Sequence, residues 1–510
     1  MALPSQPAGP STSAREASGR ATVDKSVPSV PQARRSFWRA LVFTHRWLGI
    51  AGCLLFAAWF ASGIVMIYAR MPELGANERR DARAPVDFSK ARVSPADLVR
   101  LLGVEPTQVR LAMLYGHPVY RAIAGGRWVT VFADVGQALR PLTQKEALNV
   151  VAPFVHGAAG GLRYDARLTE PDQWTLQSRA FLPMHRIAAG DADGTVLYVS
   201  DHTGDVEMKT TARSRRWAYA GPVIHWLYFT PLRRHSEGWA QTIIWLSIAG
   251  FVMCVSGLAW GWSVARRSPY AGIMRWHHYA GLIFGAFTCT WIFSGLLSMD
   301  PWDWHPSTAP TREQRDAVAG GPLRVAGLPL QTLQRGVEAI ASADTKEIEI
   351  VQFERQLFLK AGGRLLSALA PDRGVMTQFD NTLMLAAARQ AMPGVPVADY
   401  ARLFAYDSYY YGRDGELPLP VVRVRFLDPP RTWLYLDPAR GAIVRKEQRL
   451  SRVNRWLYHG LHSLDFPFLY WRRPLWDIVM IVLSLGGLAS AVTSLLPAWR
   501  RVRRVARRTG

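Results

Sequence analysis

THRWLGIAGCLLFAAWFASGIVMIY (44–68) and RWHHYAGLIFGAFTCTWIFSGLLSM (275–299) decide the architecture. At an offset of 277 − 45 = 232 they align without gaps: His45 meets His277, Gly49 meets Gly281, Trp59 meets Trp291, and Ser62-Gly63 meets Ser294-Gly295. Each stretch exceeds the ~20 apolar residues that cross a bilayer. A second pair aligns at 462 − 225 = 237. There His225 meets His462, Leu227 meets Leu464, Phe229 meets Phe466, Leu232 meets Leu469, Trp239 meets Trp476, Ser247 meets Ser484 and Gly250 meets Gly487. The repeated unit is helix, long loop, helix. Both copies start on one side of the membrane, which makes this a parallel repeat about an axis along the membrane normal.

Outward from these stretches, four apolar runs are long enough to span: about 41–69, 239–263, 274–299 and 475–497. The segment boundaries read as a disordered cytoplasmic tail (1–35), a first span (36–70), a connecting region (71–238), a second span (239–265), a third span (272–299), a second connecting region (300–473), a fourth span (474–498) and a basic cytoplasmic tail (499–510). The first apolar run is too long for the core of a signal peptide, so it reads as a retained helix.

A net charge of +22 over 510 residues suggests nucleic acid at first. The arginines exclude that reading, because they crowd beside the apolar runs. Arg34, Arg35, Arg39 and Arg46 precede the first span; Arg266, Arg267 and Arg275 fill the loop between the second and third; Arg500, Arg501, Arg503, Arg504, Arg507 and Arg508 follow the fourth. Positive charge collects on the cytoplasmic side. Both termini are therefore expected in the cytoplasm, and both long regions on the far side. Cys53, Cys254 and Cys289 all lie in apolar runs, with no CxxC and no CxxCH for covalent haem attachment.

The connecting regions alternate apolar and polar residues between turn signals. PVYRAIAGGRWVTVFADVGQAL (118–139), PMHRIAAGDADGTVLYVSDHTGDV (183–206) and PVVRVRFLDPPRTWLYLDPARGAIV (420–444) predict strands joined by hairpins, and SPADLVRLLG (94–103) predicts a short helix. The expected fold is membrane α-helical: four transmembrane helices in two parallel repeats, with two α+β regions outside.

Histidines in or beside spans are costly and point to function. Neutral imidazole is a standard axial ligand of haem iron, and a two-fold repeat supplies imidazoles in facing pairs. His45 with His277 would hold one haem near the cytoplasmic face, and His225 with His462 a second near the outer face. Residues at i+4 and i+8 share a helix face: Gly49 and Cys53 for His45, Gly281 and Gly285 for His277. Small groups there admit a flat ring. The competing reading gives those glycines to helix packing and the histidines to helix ends. His278 and His459 are alternative ligands. His156, His185, His202 and His305 lie in the connecting regions and read as surface groups rather than ligands.

THRWLGI (44–50), WFASGIVMIY (59–68), RWHHYAGLIFG (275–285), the Ser-Gly of WIFSGLL (291–297) and YHGLHSLDFPF (458–468), with the hairpins ending in DHTGDV and DPARGAIV, resemble the PepSY-associated transmembrane helix family of bacterial inner-membrane proteins over about residues 36–500. That family includes iron-regulated membrane proteins and ferric-siderophore reductases. The resemblance implies periplasmic PepSY domains and two haem b groups held by His45, His225, His277 and His462. It further implies electrons moving outward to a siderophore-bound ferric ion. The chain departs from the family pattern at WLYFTPLRRH (226–235), where a Gly-rich turn is usual, and at the doubled His277-His278.

No flavin or nicotinamide fingerprint is present, so a quinol or a separate reductase is the expected donor. Met299–Trp304 and Tyr406–Tyr411 are candidates for an outer substrate contact or for aromatic anchoring in lipid. The alternative function is a non-enzymatic membrane protein that binds peptides or restrains a periplasmic protease.

Overall fold

The computed structural model describes residues 32–155, 161–412 and 417–509. His156 and most of the expected tail lie outside the described residues. Four helices are long and apolar enough to cross a membrane: Gln32–Met66, Ser236–Ser263, Ile273–Leu297 and Leu475–Thr509. The first already includes Arg34 and Arg35, so helix replaces the last residues of the expected tail. The first and fourth have 35 residues each. That gives about 52 Å of helix against a hydrocarbon core of ~30 Å, so their arginine-bearing ends run past the apolar layer.

The helices close into a ring: first on fourth, fourth on third, third on second, second on first. Phe56, Met253, Cys254, Ile292 and Ala491 form a small common core drawn from all four. Leu54, Trp245, Ile283 and Leu485 point outward and are exposed, as apolar-all-round helices require in lipid.

The connecting regions build three antiparallel sheets. Strands β1 Gln108–Leu114, β2 His117–Ala124 and β3 Arg127–Phe132 come first, then β4 Arg163–Leu168, β5 Met184–Ala188, β6 Val196–Ser200 and β7 Val206–Thr210. The second region supplies β8 Ile348–Phe353, β9 Gln356–Ala361, β10 Arg364–Ser367, β11 Val397–Leu403, β12 Val421–Phe426, β13 Trp433–Asp437 and β14 Ala442–Glu447. The hairpins expected from alternation are present. Gly125 and Gly126 take φ of 55° and 78° to turn β2 into β3, a geometry that glycine adopts without a Cβ penalty. Helix Pro95–Leu102 starts on a capping box of Ser94 and Asp97 and stops at Gly103.

Strands β4–β7 and β11–β14 form one four-stranded sheet in each region. The remaining six form one shared sheet in the order β10-β9-β8-β1-β2-β3. Its centre is the β1–β8 pair, with Val109 opposite Ile350 and Leu111 opposite Ile348. Leu98, Leu333, Val337 and Ile340 from two helices cover it together with Tyr120 and Leu359. The regions are thus fused, whereas the sequence presented them as separate modules.

A buried ion cluster reinforces the junction. Arg121 donates to Asp205 at 3.1 Å, and Arg83 bonds both Asp205 and, at 2.9 Å, Glu347 of the second region.

Candidate functional site

The bundle brings His45 against His277, with ring centres 6.2 Å apart and planes at 42°. Each ring is oriented by a backbone carbonyl on a neighbouring helix. His45 Nδ1 donates to Met253 O at 2.9 Å, and His277 Nδ1 donates to Ser490 O at 3.0 Å. A carbonyl only accepts, so the proton sits on Nδ1 and the lone pair on Nε2. The two carbonyls are related by 490 − 253 = 237, the offset of the second and fourth apolar runs. Each also takes a hydroxyl, from Ser256 at 2.9 Å and Thr493 at 3.0 Å.

These two histidines line a cavity of about 800 Å³ together with Gly49, Gly281, Cys53, Phe56 and Phe60. That volume lies inside the ~300–1,000 Å³ range of cofactor sites. A Cβ at Gly281 would meet nothing within 4 Å, and one at Gly49 only Met253 Sδ at 3.9 Å. Both glycines line the cavity and leave open space where a side chain would stand. Gly285 lines the cavity too, and a Cβ there would press Leu258 at 2.8 Å, so it also serves close packing of the second and third spanning helices. Gly257 was missed by sequence reasoning. A Cβ on it would lie 2.4 Å from the His45 ring.

The second pair, His225 and His462, also has ring centres 6.2 Å apart, with planes at 71°. His225 Nδ1 donates to Trp59 O at 3.1 Å, and His462 Nδ1 to Trp291 O at 3.1 Å. Ser62 and Ser294 Oγ flank the same nitrogens at 3.2 and 3.1 Å. Both histidines follow a π-helical segment, Tyr219–Val223 and Arg455–Gly460, and both precede a leucine in the left-handed region, Leu227 at φ 49° and Leu464 at φ 47°. Trp239 Nε1 donates to Trp226 O at 2.9 Å and Trp476 Nε1 to Ser463 O at 2.8 Å, fastening each turn to the helix that follows. Wide helical turns and left-handed non-glycine residues are costly and concentrate at functional sites.

The alternative ligands are placed differently. His278 is buried, with Nε2 donating to Gly261 O at 3.1 Å and Nδ1 against Ser268 Oγ at 2.9 Å. The ring thus joins the last turns of the Ser236–Ser263 helix to the loop that follows it. His459 lies against Tyr458 with ring centres 4.5 Å apart and planes at 39°. Farther out, His185 is buried rather than at the surface as expected, because its ring bridges Tyr164 Oη at 3.0 Å and Asp201 at 2.7 Å. Burial pushes the Asp201 carboxyl up, but hydrogen bonds from His185, Arg167 and the Leu142 amide outweigh it and hold the group below the usual carboxylate range. His305 accepts from Asn454 at 2.9 Å.

The Tyr406–Tyr411 segment is a brace. Asp407 accepts from the amides of Tyr409 and Tyr410 and from Arg423. Tyr411 donates to Asp465 at 2.5 Å, and Arg455 reaches both Ser408 O and Asp465. The segment therefore holds the turn that carries His462. Trp302, at 82% exposed, remains an outward aromatic.

In both pairs the ring centres stand 6.2 Å apart, a separation that would leave room for one metal centre between the two imidazoles. Among the described residues there is no group of three or more His, Cys, Asp or Glu able to hold a bare ion. A pair is the ligand number that a porphyrin leaves to the protein. The indole nitrogens of Trp59 and Trp291, whose carbonyls orient the second pair, are buried without a hydrogen-bond partner. The donor sets and ring spacings of both pairs fit haem held by two histidines, and the cavity lined by His45 and His277 offers room for one such group at the first pair. No protein-family model and no curated protein matches the chain.

Proposed function

We propose that the protein is a di-haem b electron-transfer protein of the bacterial inner membrane, built from two parallel repeats. Its termini are cytoplasmic and its sheets form two PepSY-like periplasmic regions. The observation that carries this reading is the matched geometry of two histidine pairs, each at 6.2 Å and each oriented by carbonyls of a neighbouring helix or span.

Bound haem b would supply one-electron transfer. The chain holds each ring pair facing, fixes the tautomer through Nδ1, and surrounds the first pair with apolar wall from Phe56 and Phe60. Outer-shell bonds of this kind raise ligand basicity and typically matter ~10–100-fold in affinity. His45 stands 17 residues before Ser62 on one helix, so the two proposed sites would lie about 25 Å apart along the axis, toward opposite faces of the hydrocarbon layer. With a quinol or a separate reductase as donor, electrons cross outward, and a periplasmic ferric chelate of the siderophore class is the acceptor.

Purified protein, subjected to a pyridine haemochrome assay and a reductive titration, is expected to yield two haem b per chain with two resolvable spectral components. His45→Ala should remove one component and His462→Ala the other. A folded, haem-free protein would refute the proposal and leave a non-enzymatic, peptide-binding role for the sheets.

A further inference from the structure

The cavity between His45 and His277 is polarised. Its lining includes Phe56 and Phe60, which lie about three to four helical turns beyond His45 on the first helix, and Arg46, Arg500, Arg501 and Arg504 at the arginine-bearing ends of the first and fourth helices. None of the helices forming that end carries a counter-charge. Residues 32–69, 238–299 and 478–509 contain no Asp and no Glu. Arg501 and Arg504 stand three apart on one helix face. The Arg501 guanidinium lies over the Trp47 ring at 5.6 Å, which occupies its flat face and leaves its N–H edge for a ligand. Its Nε is buried with no hydrogen-bond partner. A general attraction to the membrane surface would not sort these arginines from their neighbours. Arg503, for example, lies over Trp499 at 4.6 Å and does not line the cavity.

Uncompensated guanidinium groups at one end of a cavity fit a flat ligand with carboxylates on one edge. Arginine forks match carboxylates in a bidentate manner. We propose that Arg46, Arg500, Arg501 and Arg504 form a dicarboxylate site for the propionates of the macrocycle held by His45 and His277. This fixes that macrocycle with its acidic edge toward the arginine-rich end of the bundle. The inference rests on the haem reading above and adds an orientation and a specificity to it.

The test compares haem b with its dimethyl ester, which keeps the ring and iron and loses the negative charges. Haem-depleted full-length protein carrying His225→Ala, so that only the first site is read, is titrated with each and followed in the Soret band. Haem should bind roughly 10–100-fold tighter than the ester, as charge-assisted hydrogen bonds predict. R501Q/R504Q in the same background should abolish the preference while leaving ester affinity unchanged. In the otherwise native protein, the same two substitutions should move the midpoint potential of that component to more negative values, because nearby positive charge favours the added electron. Equal affinity for haem and ester, or an undiminished preference in R501Q/R504Q, would overturn the proposal while leaving the di-haem reading intact. Weakened association of the variant with phosphatidylglycerol nanodiscs, alongside equal affinities, would assign the arginines to lipid instead. Failure of the native protein to bind haem at all would instead count against the di-haem reading.

Discussion

A methyl group on Gly257 would sit 2.4 Å from His45 Cε1 and 2.5 Å from Nδ1. The ring cannot yield, because Nδ1 is committed to Met253 O. Gly257→Ala is therefore expected to displace His45 and cost ~1–3 kcal/mol of stability as overpacking does; on the di-haem proposal it should also lower haem content from two to one per chain. Haem stoichiometry and a thermal melt in detergent check both. Ser62→Ala and Ser294→Ala should be milder, about tenfold or less in haem retention, because the carbonyls of Trp59 and Trp291 still accept from the histidines. At this scale the sequence was informative about residues that recur. His45, His225, His277 and His462 stand out by alignment, and Gly49 and Gly281 by their spacing. Gly257 was illegible, because its importance lies in a contact 212 residues away from its partner (257 − 45).

The long helices were legible in uninterrupted apolar runs, and the hairpins in their turn residues. The turns that aim His225 and His462 were not. A π-helical segment has no compositional signature, and a leucine at φ near 48° is uphill by ~1–2 kcal/mol, so nothing local asks for it. Tertiary anchors hold these turns: Gln173 accepts from Thr230 and donates to Tyr228 O, and the Tyr406–Tyr411 segment grips Arg455 and Asp465. Deleting Ala220 should relax Tyr219–Val223 to ordinary α-helix. Each helical residue contributes ~100° of rotation, so the upstream helix and His225 could no longer keep their present relative facing. We expect selective loss of the second spectral component, read in the same reductive titration, with the first unchanged.

For the whole molecule, the shared sheet and its ion cluster matter most. Burial pushes the Asp205 carboxyl up, but Arg121 and Arg83 more than reverse this and hold it below the ordinary range. Asp201 is lowered likewise. A depressed carboxylate contributes its stability in full above the unfolded pKa of ~3.9, and loses it as pH falls through the folded value. The share of the urea midpoint that Asp201 and Asp205 contribute, read as the difference from an Asp201→Asn/Asp205→Asn variant, should thus be flat from pH 7 to about pH 5 and drop on approach to pH 3. Asp205→Asn, which leaves Arg121 buried without its charge partner, should cost ~3–5 kcal/mol. It should also speed amide exchange in β1 and β8, measured by mass spectrometry. Strands within each region were legible from alternation. The pairing of β1 with β8 was not, because no local pattern in 108–114 names a partner beyond two membrane spans.

That pairing also sets a schedule for biogenesis. Strand β1 ends at Leu114 and its neighbour begins at Ile348, 234 residues later (348 − 114). At ~5–20 residues per second, translation takes about 12–47 s to deliver the missing strand. Throughout that interval one edge of β1 is unpaired, an invitation to aggregation, while the second and third helices insert and the chain re-emerges. The nascent protein therefore depends on a holding factor or on slow collapse of its first half. Expressed alone, the first 240 residues should be the aggregation-prone half, rescued when the second half is co-translated to supply the waiting edge.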